Sequence, residues 1–231
     1  MARKAAASQP AAGLLPCFII GAGPGIGQAC ARAFAHDGHD VALIARRPNR
    51  LQESLRELRL ASGRRIEAYA ADAASETSLL GAIEAATADL GAPALLIYNA
   101  ASAELGKPTT IPVDRLVEEF RVNVAGALVA ARAVAPAMVR RGSGSILFTG
   151  GGSAYEPAAE YAALSLGKAA LRSLTYTLAQ ELGRSGVHVG MVTVFGFVQP
   201  GTHFDPDRIA QSYLELHRQP KGHFDIETVY R

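Results

Sequence analysis

The chain has 231 residues, 49% of them hydrophobic, with 23 basic against 21 acidic side chains and a formal charge of +2. That length holds one α/β domain with a large core. The basic residues are scattered, with no Lys/Arg stripe interleaved with aromatics, which argues against nucleic acid as the main partner.

Residues 1–13 are Ala-rich, carry Arg3 and Lys4, and read as a flexible tail. A secretory signal would need a longer apolar core there. From 14 to 231 short apolar runs alternate with helix-like segments. Strands are predicted at 17–20, 41–45, 66–70, 94–98, 145–149 and 187–194. Helices are predicted at 27–37, 49–61, 75–90, 114–140, 158–183 and 207–217. The tail 219–231 carries Phe224, Ile226, Val229 and Tyr230 in partial alternation, a pattern that suits a last strand at a sheet edge. No run of about 18 uninterrupted apolar residues occurs, so no membrane span is expected. The only cysteines, Cys17 and Cys30, lack metal-ligand spacing and read as reduced core thiols of a cytoplasmic protein. No metal site is expected. His203, His217 and His223 have no ligand partners at useful spacing and read as surface histidines.

Strands apolar on both faces and separated by helices imply a parallel sheet covered on each side. With right-handed crossovers this is a single doubly wound α/β domain of three layers. Gly21-Ala22-Gly23-Pro24-Gly25-Ile26-Gly27 follows the first strand and opens the first helix, the context that a Rossmann dinucleotide site requires. Gly21 permits the tight turn, Gly25 lets backbone approach a pyrophosphate, and Gly27 lets the helix pack on the strand. The helix N-terminus then offers N–H groups and the positive end of its dipole to phosphate. After the second strand comes Arg46-Arg47, where an acidic residue would favour NAD. Arginine there suits a 2′-phosphate, so NADP(H) is the expected cofactor.

From Pro16 to about Val198 these residues resemble the short-chain dehydrogenase/reductase family. The glycine motif is similar, with Ile20 where Thr is usual; Ile26 belongs to it. Asp72 matches the residue that contacts adenine. Tyr98-Asn99-Ala100-Ala101 resembles the family's Asn-Asn-Ala-Gly segment, and Asn123 the helix Asn of the catalytic tetrad. The stretch from Lys168 resembles the one that begins at the catalytic Lys, and Gly196-Phe197-Val198 the segment after the sixth strand, with Phe195 in place of Pro. The resemblance implies cofactor contacts at Gly21, Gly23, Gly25, Ile26, Gly27, Asp72, Asn99, Ala100, Lys168 and Val198. It also implies hydride transfer between nicotinamide and a small carbonyl or alcohol substrate.

In that family a Tyr four residues before the Lys exchanges a proton with the substrate oxygen, and a Ser thirteen residues earlier hydrogen-bonds the same atom. Here those positions hold Leu164 and Gly151, and Ala163 and Ser165 flank Leu164. Three readings stay open. Another group substitutes, with Tyr161 the nearest candidate and Ser153 and Tyr155 close by, though Tyr161 also reads as a packing tyrosine. Transfer is slow, since general acid catalysis is worth ~10²–10⁴-fold. Or the chain is a silent cofactor-binding or regulatory protein. Asn123, Lys168 and Tyr161 are the candidate catalytic residues.

The segment 199–206 is short and turn-rich, so the substrate lid of the family is expected to be reduced. The Ala- and Leu-rich helices at 114–140 and 158–183 are those through which the family forms dimers and tetramers, which makes a homodimer or homotetramer the expected assembly. The tail loosely resembles that of an atypical bacterial branch with an apolar residue or Phe at the tyrosine position.

Overall fold

A computed structural model describes residues 14–231; the tail expected at 1–13 lies outside the described residues. Seven strands run β1 (Leu14–Ile20), β2 (His39–Ala45), β3 (Ile66–Ala70), β4 (Leu95–Tyr98), β5 (Gly144–Gly151), β6 (Val187–Val194) and β7 (Glu227–Tyr230). They form one sheet in the order β3-β2-β1-β4-β5-β6-β7, with every pairing parallel.

The central strands are buried on both faces because helices cover both. One core gathers Ile19, Leu43, Phe34 and Tyr213 beneath α1 (Ile26–His36), α2 (Gln52–Ser62) and α7 (Pro206–His217). The other gathers Phe18, Leu96, Ala130 and Leu178 beneath α3 (Glu76–Leu90), α5 (Gly126–Arg141) and α6 (Ala162–Leu182). Strand order reverses between β1 and β4, and that switch point opens a crevice at the carboxyl ends of the strands. The tail supplies the edge strand that its alternation implied, with Met191 to Val194 of β6 in register with Glu227 to Tyr230.

The helix expected over 114–140 is two helices. α4 (Val113–Phe120) and α5 are joined by a π turn at Arg121–Ala125. A Cβ on Gly126 would stand 2.4 Å from both the Ala73 carbonyl oxygen and the Tyr98 hydroxyl, so the chain passes against them there. That hydroxyl donates a 2.5 Å hydrogen bond to the Val122 carbonyl, satisfying an acceptor within the widened turn. By length and the hydropathy of its most apolar 18 residues (mean 1.6), the stretch Val113–Arg141 would suffice to cross a membrane. It buries Ala127, Ala130, Val134 and Met138 in the core under the sheet.

Helix α6 begins at Ala162, not at 158, because Gly106 and Tyr161 pair as an isolated bridge. Gly106 donates to the Glu160 carbonyl at 2.9 Å and Ala162 donates back to Gly106 at 3.2 Å. His217 corrects the surface reading. Its ring packs edge-on to Phe34 and His39, and its Nδ1 lies 2.8 Å from the Ser145 hydroxyl. The helical period of α7 turns this position toward the sheet. His203 and His223 are exposed. Cys17 and Cys30 are buried free thiols, and burial pushes both thiols up.

Candidate functional site

The glycine turn after β1 is held by main-chain bonds from Gly21 N–H to the Ile44 carbonyl (2.9 Å) and from Gly23 N–H to the Gly21 carbonyl (2.9 Å). Gly21 has φ +85°, and a Cβ there would sit 2.3 Å from the Ala100 nitrogen. Only glycine meets both conditions. A Cβ on Gly27 would stand 2.5 Å from the Gly21 carbonyl oxygen, so the start of α1 lies directly on the turn. Gly25 is the N-cap and has no side-chain cap, which leaves the first N–H groups of α1 for a ligand. Val198 reaches over from beyond β6 to within 4.0 Å of a Cβ placed on Gly25.

The first half of the glycine turn, Gly21 to Pro24, lines a cleft of ≈ 480 Å³; Gly25, Ile26, Gly27, Lys168 and Val198 lie outside its lining. Gly21, Gly23, Asp72, Asn99 and Ala100 lie along it, with Arg46 and Arg47 at the β2 end. Arg50 joins them there and had not been singled out. The 3₁₀ turn Pro48–Leu51 brings it round, and its spacing of four from Arg46 was the available signal. Among the described residues, no Asp or Glu lies within 4 Å of Arg46, Arg47 or Arg50. Three exposed guanidinium groups without counterions beside a cradle of free N–H groups suit a ligand with several phosphates. Exposed Asp72 accepts from the Ala74 N–H at 3.0 Å.

At the other end Lys168 is buried, and its Nζ donates a 2.7 Å bond to the Thr149 carbonyl. Burial brings its ammonium down to about 8. The Thr149 hydroxyl donates to Asn99 Oδ1 (2.9 Å), and the Asn99 amide donates to the Gly21 carbonyl (2.9 Å). With its proton committed to Asn99, the Thr149 hydroxyl accepts from Tyr213 of α7 at 2.6 Å. Lys168 is thereby tied to the glycine turn through Thr149 and Asn99. Asn123 sits inside the π turn and is buried. It accepts from Ser102 N–H (2.8 Å) and donates to the Ser102 carbonyl (3.0 Å), fixing the loop after β4. A Cβ on Gly167 would stand 2.9 Å from that of Asn123, so α6 meets the π turn beside Lys168.

Leu164, partly buried, lies one turn before Lys168. Gly151 faces the Lys168 stem: a Cβ there would be 3.5 Å from Lys168 Cγ, ordinary contact distance. Tyr161 is the N-cap of α6, partly buried, with φ −123° and ψ 46°. It stands one residue before the helix and three before Leu164, so its backbone is outside the helical repeat that carries Lys168. Tyr155 is not at this site. Its hydroxyl donates to Glu227 (2.8 Å) and accepts from Arg172 (2.9 Å), at the β7 side of the sheet.

The fold and this cleft define a Rossmann-type dinucleotide-binding protein. Residues 17–204 match the short chain dehydrogenase family, and the chain belongs to it. Over 176 residues it is 30% identical to 2,3-dihydro-2,3-dihydroxybenzoate dehydrogenase of Bacillus subtilis, covering 76% of this chain and 67% of that one. It is 28% identical over 220 residues to an uncharacterised oxidoreductase of Staphylococcus aureus (strain N315), covering 91% of this chain and 94% of that protein. Among solved structures it is similar to a metagenomic short-chain oxidoreductase in complex with NADP, with TM-score 0.85, 28% identity, and 93% and 96% of the two chains covered.

Proposed function

We propose that this protein transfers a hydride between NADP(H) and a small carbonyl or alcohol substrate, with Tyr161 handling the substrate proton. The observation that carries the reading is the link from the glycine turn through Asn99 and Thr149 to buried Lys168. It holds a phosphate cradle and a low-pKa ammonium in one frame. Arg46, Arg47 and Arg50 favour NADP(H) over NAD(H), and the NADP in the metagenomic relative agrees with this.

When bound, the nicotinamide supplies or accepts the hydride. Lys168 holds the ribose, and Asn123 keeps the loop after β4 in place. The proton-handling hydroxyls of the family are replaced by Leu164 and Gly151, neither of which carries a proton that can be donated. Tyr161 is the candidate replacement because it brings a hydroxyl to the start of α6, three residues before Leu164. The absence of hydroxyls at 151 and 164 favours a second reading, a cofactor-binding protein without turnover.

The exposed apolar side chains Val117, Phe120 and Leu128 of α4–α5 and Leu166 of α6 support a homodimer or homotetramer. The free thiols favour a reducing, cytoplasmic setting.

The test is in two parts. NADPH and NADH are titrated by fluorescence; tighter NADPH binding is expected, and absence of binding by either overturns both readings. A carbonyl panel with NADPH then compares wild type with Tyr161→Phe. A fall of ~10²–10⁴-fold in kcat/KM at unchanged NADPH affinity is expected. Unchanged activity removes Tyr161 as the acid, and no turnover by wild type favours the second reading.

A further inference from the structure

We propose that Arg231 is the anion-binding end of the substrate site, so that the compound taken carries a carboxylate beside its carbonyl or alcohol. This rests on the hydride-transfer reading above and adds a substrate class to it.

Arg231 follows β7 at the carboxyl edge of the sheet, where the segments after β5 and β6 also emerge. Its guanidinium carbon stands 4.1 Å from the centroid of the Phe195 ring. Phe195 in turn leans on the turn after β5, since a Cβ on Gly152 would lie 2.7 Å from the Phe195 ring. The neighbouring Gly151 faces the Lys168 stem at 3.5 Å. Lys168, the two glycines without side chains, Phe195 and Arg231 therefore succeed one another at the carboxyl end of the sheet.

The frame beneath this cation is fixed. Phe195 N–H donates to the Tyr230 carbonyl at 2.9 Å. The Tyr230 hydroxyl donates to the His203 carbonyl at 2.9 Å, and His203 Nε2 lies 2.5 Å from the Arg231 carbonyl oxygen. The short segment after β6 is clasped to the end of β7, and the guanidinium is carried on that clasp.

Arg231 also has no acidic side-chain partner: among the described residues no Asp or Glu side chain lies within 4 Å of it. The nearby carboxylate, Glu227, is saturated by Arg172 (2.8 Å), Thr193 (2.6 Å), Tyr155 (2.8 Å) and Tyr176 (3.1 Å). Stacking on a ring leaves the N–H edge of a guanidinium free to fork onto a carboxylate.

The sheet serves as a ruler. At ~4.8 Å per strand, β7 is two intervals or about 10 Å from β5, a gap covered by the length of the Arg231 side chain together with a short oxo acid. From β2, which carries the cofactor-end arginines, it is five intervals or about 24 Å, so Arg231 is separate from the cofactor phosphates.

The experiment measures binding of 2-oxo and 3-oxo acids and their methyl esters to NADP-saturated protein by calorimetry, in wild type, Arg231→Met and Arg231→Lys. NADPH affinity is measured in parallel. Tighter binding of acid than ester is expected in wild type. The preference should fall by on the order of 10–100-fold in Arg231→Met, return in part in Arg231→Lys, and leave NADPH affinity unchanged. Equal binding of acid and ester throughout the panel, or an equal loss for both in Arg231→Met, overturns the proposal while the cofactor reading stands. Loss of NADPH binding in wild type overturns the parent reading instead.

Discussion

Lys168 and Thr149 are joined by a 2.7 Å hydrogen bond from a buried ammonium to a main-chain carbonyl at the end of β5. The bond aims the side chain past Gly151 and leaves its charge dependent on one neutral acceptor. Burial without a counterion is why the group comes down to about 8.

That burial has a stability consequence. In the unfolded chain the lysine titrates near 10.5, so the folded form binds fewer protons between pH 8 and 10.5, and stability rises across that window. Below pH 8 the charged lysine costs about 3 kcal/mol. Lys168→Met is expected to stabilise the apo protein at pH 7 by about 1–3 kcal/mol in urea unfolding while weakening NADPH binding. A destabilised variant would contradict this.

The three arginines at the end of β2 should act on one cofactor only. Arg46→Ala, Arg47→Ala and Arg50→Ala are each expected to weaken NADPH binding by about 1.5–5-fold, the size for exposed pairs, and to leave NADH nearly unaffected. The effect should shrink as salt is raised. Equal effects on both cofactors, read by fluorescence titration, would remove the 2′-phosphate assignment.

Gly151→Ser and Leu164→Tyr ask whether the rest of the site is competent. A side chain at 151 meets only the Lys168 stem at ordinary contact distance, and φ there is −156°, open to any residue. Gly151→Ser alone is therefore expected to fold within about 0.5 kcal/mol of wild type. Added to Tyr161→Phe, the pair of substitutions should restore kcat for carbonyl reduction by at least ~10²-fold if Lys168 and Asn123 are poised as read. No gain, with NADPH still bound, would place the defect elsewhere.

His217 sets an acid limit. Burial first, and the neighbouring His39 second, bring it down from 6.5 to about 4. A depressed histidine contributes no penalty above pH 6.5, and the penalty grows as pH falls toward 4. Wild type should lose roughly 3 kcal/mol across that window from this group. His217→Gln should lose less over the same range in urea titrations at pH 4.5 and 7. Parallel losses would assign acid sensitivity to other groups.

The chain's own order of residues determined the parallel sheet and the glycine turn, because each is written in local pattern, while Lys168 and Asn123 were picked out by the family resemblance of the segments that carry them. Apolar runs, a strand–glycine–helix junction and helical periodicity need no distant partner to be legible. Tertiary structure alone decided the features that depend on contacts between distant segments. The π turn at Asn123 exists because Gly126 passes against Ala73 and Tyr98. Tyr161 is a cap and not a helical residue because Gly106 pairs with it. Tyr155 points to Glu227 because β7 brings that carboxylate alongside. His217 is packed because β5 and α1 close over it. Such encounters join residues tens of positions apart, where sequence spacing carries no geometric information.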